Sequence, residues 1–141
     1  MDNLHIEGDL KNPTLSFDYA SGTISIKGRS WPEHAVNVYQ PAFDWLEAYK
    51  KKPQAKTTFK VELEYFNTSS SKVVLQIMQK AAEMHKSGMD VKVEWYYEND
   101  DFDLKEEGET FAEMVDVPVE MVGIEEFDFT FDRPNLNSKS D

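Results

Sequence analysis

The chain has 141 residues, 40% hydrophobic and 13% aromatic, which suits one folded domain with a real core rather than a disordered segment. Its 27 acidic residues against 15 basic give a net charge of −12, which excludes a nucleic-acid module and argues against docking on anionic lipid. With no cysteine, disulfides, thiolate metal centres and a cysteine nucleophile are excluded. No apolar run approaches the roughly 18 residues of a membrane span, and the N-terminus lacks a basic-then-apolar signal, so the expected setting is cytoplasmic.

In chain order, a short strand is expected around Leu4-His5-Ile6. A hairpin follows, with Leu15, Phe17 and Tyr19 alternating on its first arm and Ile24 and Ile26 on its second. Ser30-Trp31-Pro32-Glu33 reads as a helix start, with Ser30 as cap and Val36, Tyr39, Phe43 and Leu46 as the apolar face up to about Lys52. Pro41 interrupts that face and predicts a kink or two abutting helices. Residues 57–66 alternate as a long strand with Phe59, Val61, Leu63 and Tyr65 inward. A helix follows on Val73, Val74, Ile77, Met78, Ala81 and Met84, closed by Gly88 in a left-handed cap. Residues 90–97 form the next strand, 104–115 a helix and 118–124 a last strand.

The expected fold is therefore α/β, in the order β-β-α-β-α-β-α-β, with a mixed sheet and helices over one face. The domain is expected to span residues 1–126. Residues 127–141 read as an acidic, mobile tail, whose alternating Phe127, Phe129 and Phe131 offer an edge strand or a recognition segment as alternatives.

Little in the chain suggests catalysis. His5, His34 and His85 lie in no motif with a nucleophile, and no Gly-rich phosphate loop or other cofactor signature is present. Glu98 to Asp116 holds nine acidic residues against one lysine, but without the spacing or turn glycine of a calcium loop; a solvated face, a partner surface and a metal or ligand site are its three readings. Asn67-Thr68-Ser69 matches a glycosylation acceptor by chance, in the absence of a secretory signal.

The informative stretch is Asn67-Thr68-Ser69-Ser70-Ser71, at a strand-to-helix junction. One such side chain satisfies the free amides of a first helical turn, so four consecutive hydroxyls exceed what capping needs. Two readings stand: a redundant cap, or a phosphorylation site where the phosphate meets the positive helix end and adds a charge of about −1.5 to −2.

Tyr65-Phe66-Asn67-Thr68-Ser69-Ser70-Ser71-Lys72 resembles the signature of the SiaC family of bacterial regulatory phosphoproteins. Ser21 to Gly28, Ser30-Trp31-Pro32-Glu33 with Trp45, and Val93-Glu94-Trp95-Tyr96-Tyr97 with Asp101, Asp103, Glu107-Gly108 and Phe111 are similar to two further blocks of that family. The likeness covers residues 4–122. It departs at Pro118-Val119, where the family often has Pro-Phe, at Pro41, and in the phenylalanine-bearing tail.

The resemblance implies a STAS-like fold, as in anti-sigma-factor antagonists, and a non-enzymatic partner-switching role without a cofactor. It implies phosphorylation of Thr68 by a cognate protein kinase and removal of the phosphate by a PP2C-type phosphatase. The unphosphorylated form is expected to bind a diguanylate cyclase and so regulate biofilm formation, with Asn67, Ser69, Ser70, Ser71 and Lys72 as the switch and partner-contact residues. The alternative is a constitutive protein-binding scaffold in which Thr68 is only a helix cap.

Overall fold

A computed structural model describes residues 1–129. Six strands and three helices alternate after an N-terminal β-meander: β1 (Leu4–Ile6), β2 (Thr14–Asp18), β3 (Thr23–Ser30), α1 (Ala35–Tyr49), β4 (Lys56–Phe66), α2 (Thr68–Lys86), β5 (Asp90–Glu98), α3 (Phe102–Met114) and β6 (Val119–Ile124). The strands form one mixed sheet in sequential order, β1-β2-β3-β4-β5-β6, antiparallel through β3 and parallel from β3 to β6. The short strand at Leu4–Ile6 thus adds one β to the front of the expected order.

The two sheet faces differ in chemistry. Leu15, Ile26, Val61 and Trp95 lie opposite one another across four strands and are buried, as are Phe17, Ile24, Phe59 and Val93. Ser16, Ser25, Lys60, Glu94 and Glu120 form the corresponding row on the other face. Helix α2 packs on the apolar face through Val73, Val74, Ile77, Met78, Ala81 and Met84, as its 3.6-residue spacing requires. Gly88 follows it with φ +101°, the left-handed conformation expected of that glycine.

Three local expectations are corrected. Ser30 caps no helix: it is the last residue of β3, fully buried, and α1 begins five residues later behind His34, whose side chain makes no capping bond. The buried face of α1 is Ala35, Tyr39, Ala42, Trp45, Leu46 and Tyr49, while Val36 is exposed and Phe43 half-buried. The true face uses two alanines, whose weak apolar signal hid the phase of the helix. Of the two outcomes expected at Pro41, the pair of abutting helices does not form: α1 runs unbroken through it. The carbonyl its missing N–H would have bonded belongs to exposed Asn37, where water can serve it.

Tyr65 is also displaced. Gly28 pairs with Leu63 but Arg29 pairs with Tyr65, so Glu64 is an extra residue in β4. This bulge reverses the alternation, leaving Tyr65 53% exposed and sending Phe66 toward Trp95 and Phe111.

The expected loose tail is packed at its start. Phe127 and Phe129 are 3% and 2% exposed, their rings stacked with centroids 5.0 Å apart. The Phe127 N–H donates to Glu98 Oε2 at 2.8 Å, and Lys27 Nζ lies 5.8 Å from the Phe129 ring centre. Since Lys27 alternates with buried Ile26 and Gly28, this segment reaches the polar side of the sheet. Phe131 lies outside the described residues.

Candidate functional site

In a parallel sheet, loops at the carboxyl ends of the strands are the usual place for function. Asn67 stands there, between the end of β4 and the start of α2, and four of its groups are bound. Its backbone N–H donates to Ser30 O at 2.9 Å, and its side-chain Nδ2 to Pro32 O at 3.1 Å. Its Oδ1 accepts the Ser70 N–H at 2.9 Å, and its backbone oxygen accepts the Ser71 N–H at 2.9 Å. Asn67 is therefore the N-cap of α2, held simultaneously by the end of β3 and the first turn of the helix.

Thr68 is the first helical residue, and it is exposed. Its hydroxyl makes no hydrogen bond among the described residues, and the capping duty falls to its neighbour. The reading of Thr68 as only a helix cap is thereby corrected: both side chains had the chemistry to cap, but the extended backbone of Asn67 gives it the position. Thr68 thus presents a free alcohol at the positive end of a 19-residue helix whose first turn carries no acidic residue.

The hydroxyls that follow have different fates. Ser69 and Ser71 are half-buried. Ser70 is fully buried: the Tyr39 hydroxyl donates to Ser30 Oγ at 2.8 Å, which donates to Ser70 Oγ at 2.7 Å. This chain ties α1, β3 and α2 beneath the site, and burial pushes the Tyr39 phenol well above its ordinary range. Ser70 is closed to a partner in this arrangement, contrary to the contact role expected of it. Lys72 is exposed one turn after Thr68 and makes no ion pair among the described residues.

The neighbouring strand ends carry large exposed aromatics. Trp31 follows β3 and is 44% exposed, its indole N–H donating to Leu10 O at 2.9 Å. Tyr65 lies near the end of β4, and Phe102, at the start of α3, is 75% exposed. Alternation hid Tyr65, and Phe102 fell just outside the expected helix; the signal available for it was Asp101, which caps α3 by accepting the Leu104 N–H at 3.0 Å.

The other sequence candidates are dispersed. His5 is on β1, where it meets Glu7; His34 precedes α1; His85 lies in the last turn of α2 with a buried Nδ1 that has no hydrogen-bond partner among the described residues. Among the described residues no group of three or more acidic or histidine side chains is arranged to hold a metal ion, and no helix is long and apolar enough to cross a membrane.

Comparison with known proteins matches this arrangement to a family. The model of the SiaC family of regulatory phosphoproteins matches residues 6–124. An uncharacterized protein of Pseudomonas aeruginosa (strain UCBPP-PA14) is 30% identical over 118 residues, covering 84% of this chain and 94% of that protein. Crystallised apo-SiaC from Pseudomonas aeruginosa superimposes with a TM-score of 0.79 at 30% identity, covering 86% of this chain and 99% of that one. SiaC in complex with the diguanylate cyclase SiaD, of which it is the activator, gives 0.81 at 29% identity and the same coverage. The strand-to-helix junction at Asn67 and Thr68 lies inside the matched residues 6–124, and the chain belongs to the SiaC family of regulatory phosphoproteins.

Proposed function

We propose that this chain is a non-enzymatic partner switch of the bacterial cytoplasm. Its unphosphorylated form binds a diguanylate cyclase, and phosphorylation of Thr68 by a cognate kinase ends that contact until a PP2C-type phosphatase restores it. The observation that carries the reading is the division of labour at the junction. Asn67 caps the helix, leaving the adjacent Thr68 alcohol exposed and without a structural task. Modification there leaves every described hydrogen bond of the fold in place. It sets roughly two negative charges beside the helix dipole and Lys72, on a surface whose strand ends carry exposed aromatics.

The test pairs Thr68→Ala with Thr68→Glu in co-purification with the diguanylate cyclase. Thr68→Ala is expected to retain the complex and Thr68→Glu to lose it. Incubation with the kinase is expected to add about 80 Da, one phosphoryl group, to wild type and nothing to Thr68→Ala. Equal binding by both variants, with no mass added to wild type, leaves a constitutive scaffold instead.

A further inference from the structure

A second feature lies at the same end of the sheet, on the side away from Trp31. A shallow groove of about 300 Å³ runs between the end of β4 and the start of α3. Tyr65, Phe66 and Leu104 give it an apolar lining, and Asp103 and Glu107 give it an acidic edge; Glu64, which also lines it, is already paired with Arg29 at 2.9 Å. Its volume is at the small end of binding pockets, which suits an anchoring side chain rather than a whole cofactor. We propose that this groove is a docking site for a partner protein segment that carries an apolar anchor flanked by arginine or lysine.

Two observations support that occupant. Tyr65, which lines the groove, is turned outward by the bulge in β4 and is 53% exposed, and Phe102, between the lining residues Asp101 and Asp103 in sequence, is 75% exposed. Exposed aromatics grouped at a concavity mark interaction surfaces, whereas scattered ones do not. The charges are the second. Asp103 faces Glu107 one turn on, with Glu106 between the same turns, and like charges at this spacing repel one another. The helix dipole favours Asp103 in the first turn, but Glu106 and Glu107 lie beyond it. None of the three is in an ion pair among the described residues; the neighbouring Lys105 turns to Glu109 at 3.9 Å. No metal cluster among the described residues takes up the charge. A cationic partner would relieve the repulsion while its apolar residue covers Tyr65 and Phe66.

The biological meaning of the groove rests on the proposed partner switch, since Tyr65 is only three residues before Thr68; the test does not. The full chain, labelled with nitrogen-15, is titrated with acetyl-Arg-Leu-Trp-Arg-amide, and with an Arg-Gly-Gly-Arg peptide of equal charge. The expected result is saturable shifts confined to Glu64–Phe66 and Leu104–Glu107, with at least tenfold weaker binding of the glycine peptide. Tyr65→Ser, and Asp103→Lys with Glu107→Lys, should each weaken the first peptide at least tenfold while their melting curves stay cooperative. If the charge-reversal pair does not fold, Asp103→Asn with Glu107→Gln replaces it, with at least threefold weakening expected. Absent shifts, shifts spread over the acidic surface, equal binding of the two peptides, or unchanged affinity in the variants overturns the groove. Thr68→Glu in the cyclase experiment remains the separate measure of the switch.

Discussion

Thr68→Ala should leave the unfolding free energy within about 0.5 kcal/mol of wild type, because the side chain it removes is exposed and bonds to nothing described. Asn67→Ala should cost about 1–2 kcal/mol, since it removes the helix cap and the bond to Pro32 together. Ser70→Ala should cost about 1–3 kcal/mol by stranding the buried Ser30 hydroxyl that now donates to it. Urea unfolding of the three variants checks the order; a Thr68→Ala loss as large as that of Asn67→Ala would mean that the threonine does carry structural weight. The sequence made this stretch visible but not its internal division. Asn, Thr and Ser all cap helices, and only the backbone path decides which of them occupies the capping position. Likewise the burial of Ser70 depends on Ser30 and Tyr39, which are distant in sequence and meet only in the folded chain.

At the scale of elements, α3 is fitted to the sheet through a glycine. A Cβ on Gly108 would lie 2.5 Å from the Trp95 ring, while the Trp95 indole N–H donates to Leu104 O at 3.2 Å and its ring meets Phe111 edge-on at 5.6 Å. Alanine ordinarily favours a helix interior over glycine by roughly 1 kcal/mol. Here the clash should reverse that sign, and Gly108→Ala should destabilise by about 1–2 kcal/mol. A higher melting temperature for the variant would show that α3 can move off Trp95 without cost. The strands and helices themselves were legible because their apolar periods of 2 and 3.6 residues are long and clean. Two features were not. The bulge at Glu64 is one residue long and leaves the alternation of β4 intact on paper while reversing its end. The burial of α1 through Ala35 and Ala42 has too little apolar contrast to set the helix phase.

Across the molecule, the two sheet faces impose opposite demands, and the polar one ties stability to pH. Burial of Glu94 works against its charge, but the Tyr96 hydroxyl at 2.8 Å, Lys92 at 3.1 Å and nearby Lys60 outweigh it and hold its carboxyl below the ordinary value of 4.5. Asp9, bonded by the backbone N–H groups of Lys11 and Asn12, is likewise held below its ordinary 3.8. A carboxyl lowered in the folded state contributes stability that is present above the unfolded pKa and is lost as pH falls through the folded one. The urea midpoint should therefore hold steady down to about pH 5 and fall below about pH 4.5. The net charge of −12 acts in the opposite sense, because protonation relieves repulsion between distant carboxylates. That repulsion is screened beyond about 8 Å at physiological salt, whereas the contacts of Glu94 are not, so the local loss should prevail. Glu94→Gln should lower stability at pH 7 and flatten part of the acid slope. The same slope in the variant and in wild type would place the acid sensitivity elsewhere on the surface. Phe127 and Phe129 belong to this scale too: in sequence their alternation did not distinguish a free tail from a packed one, because the polar face they reach is assembled from β3 and β5 together. Phe127→Ala should cost about 3 kcal/mol, the low end for a buried phenylalanine, since a segment beyond the last strand can partly close the gap. A loss under about 0.5 kcal/mol, measured in the same urea series, would mean that this ring adds little to the folded state.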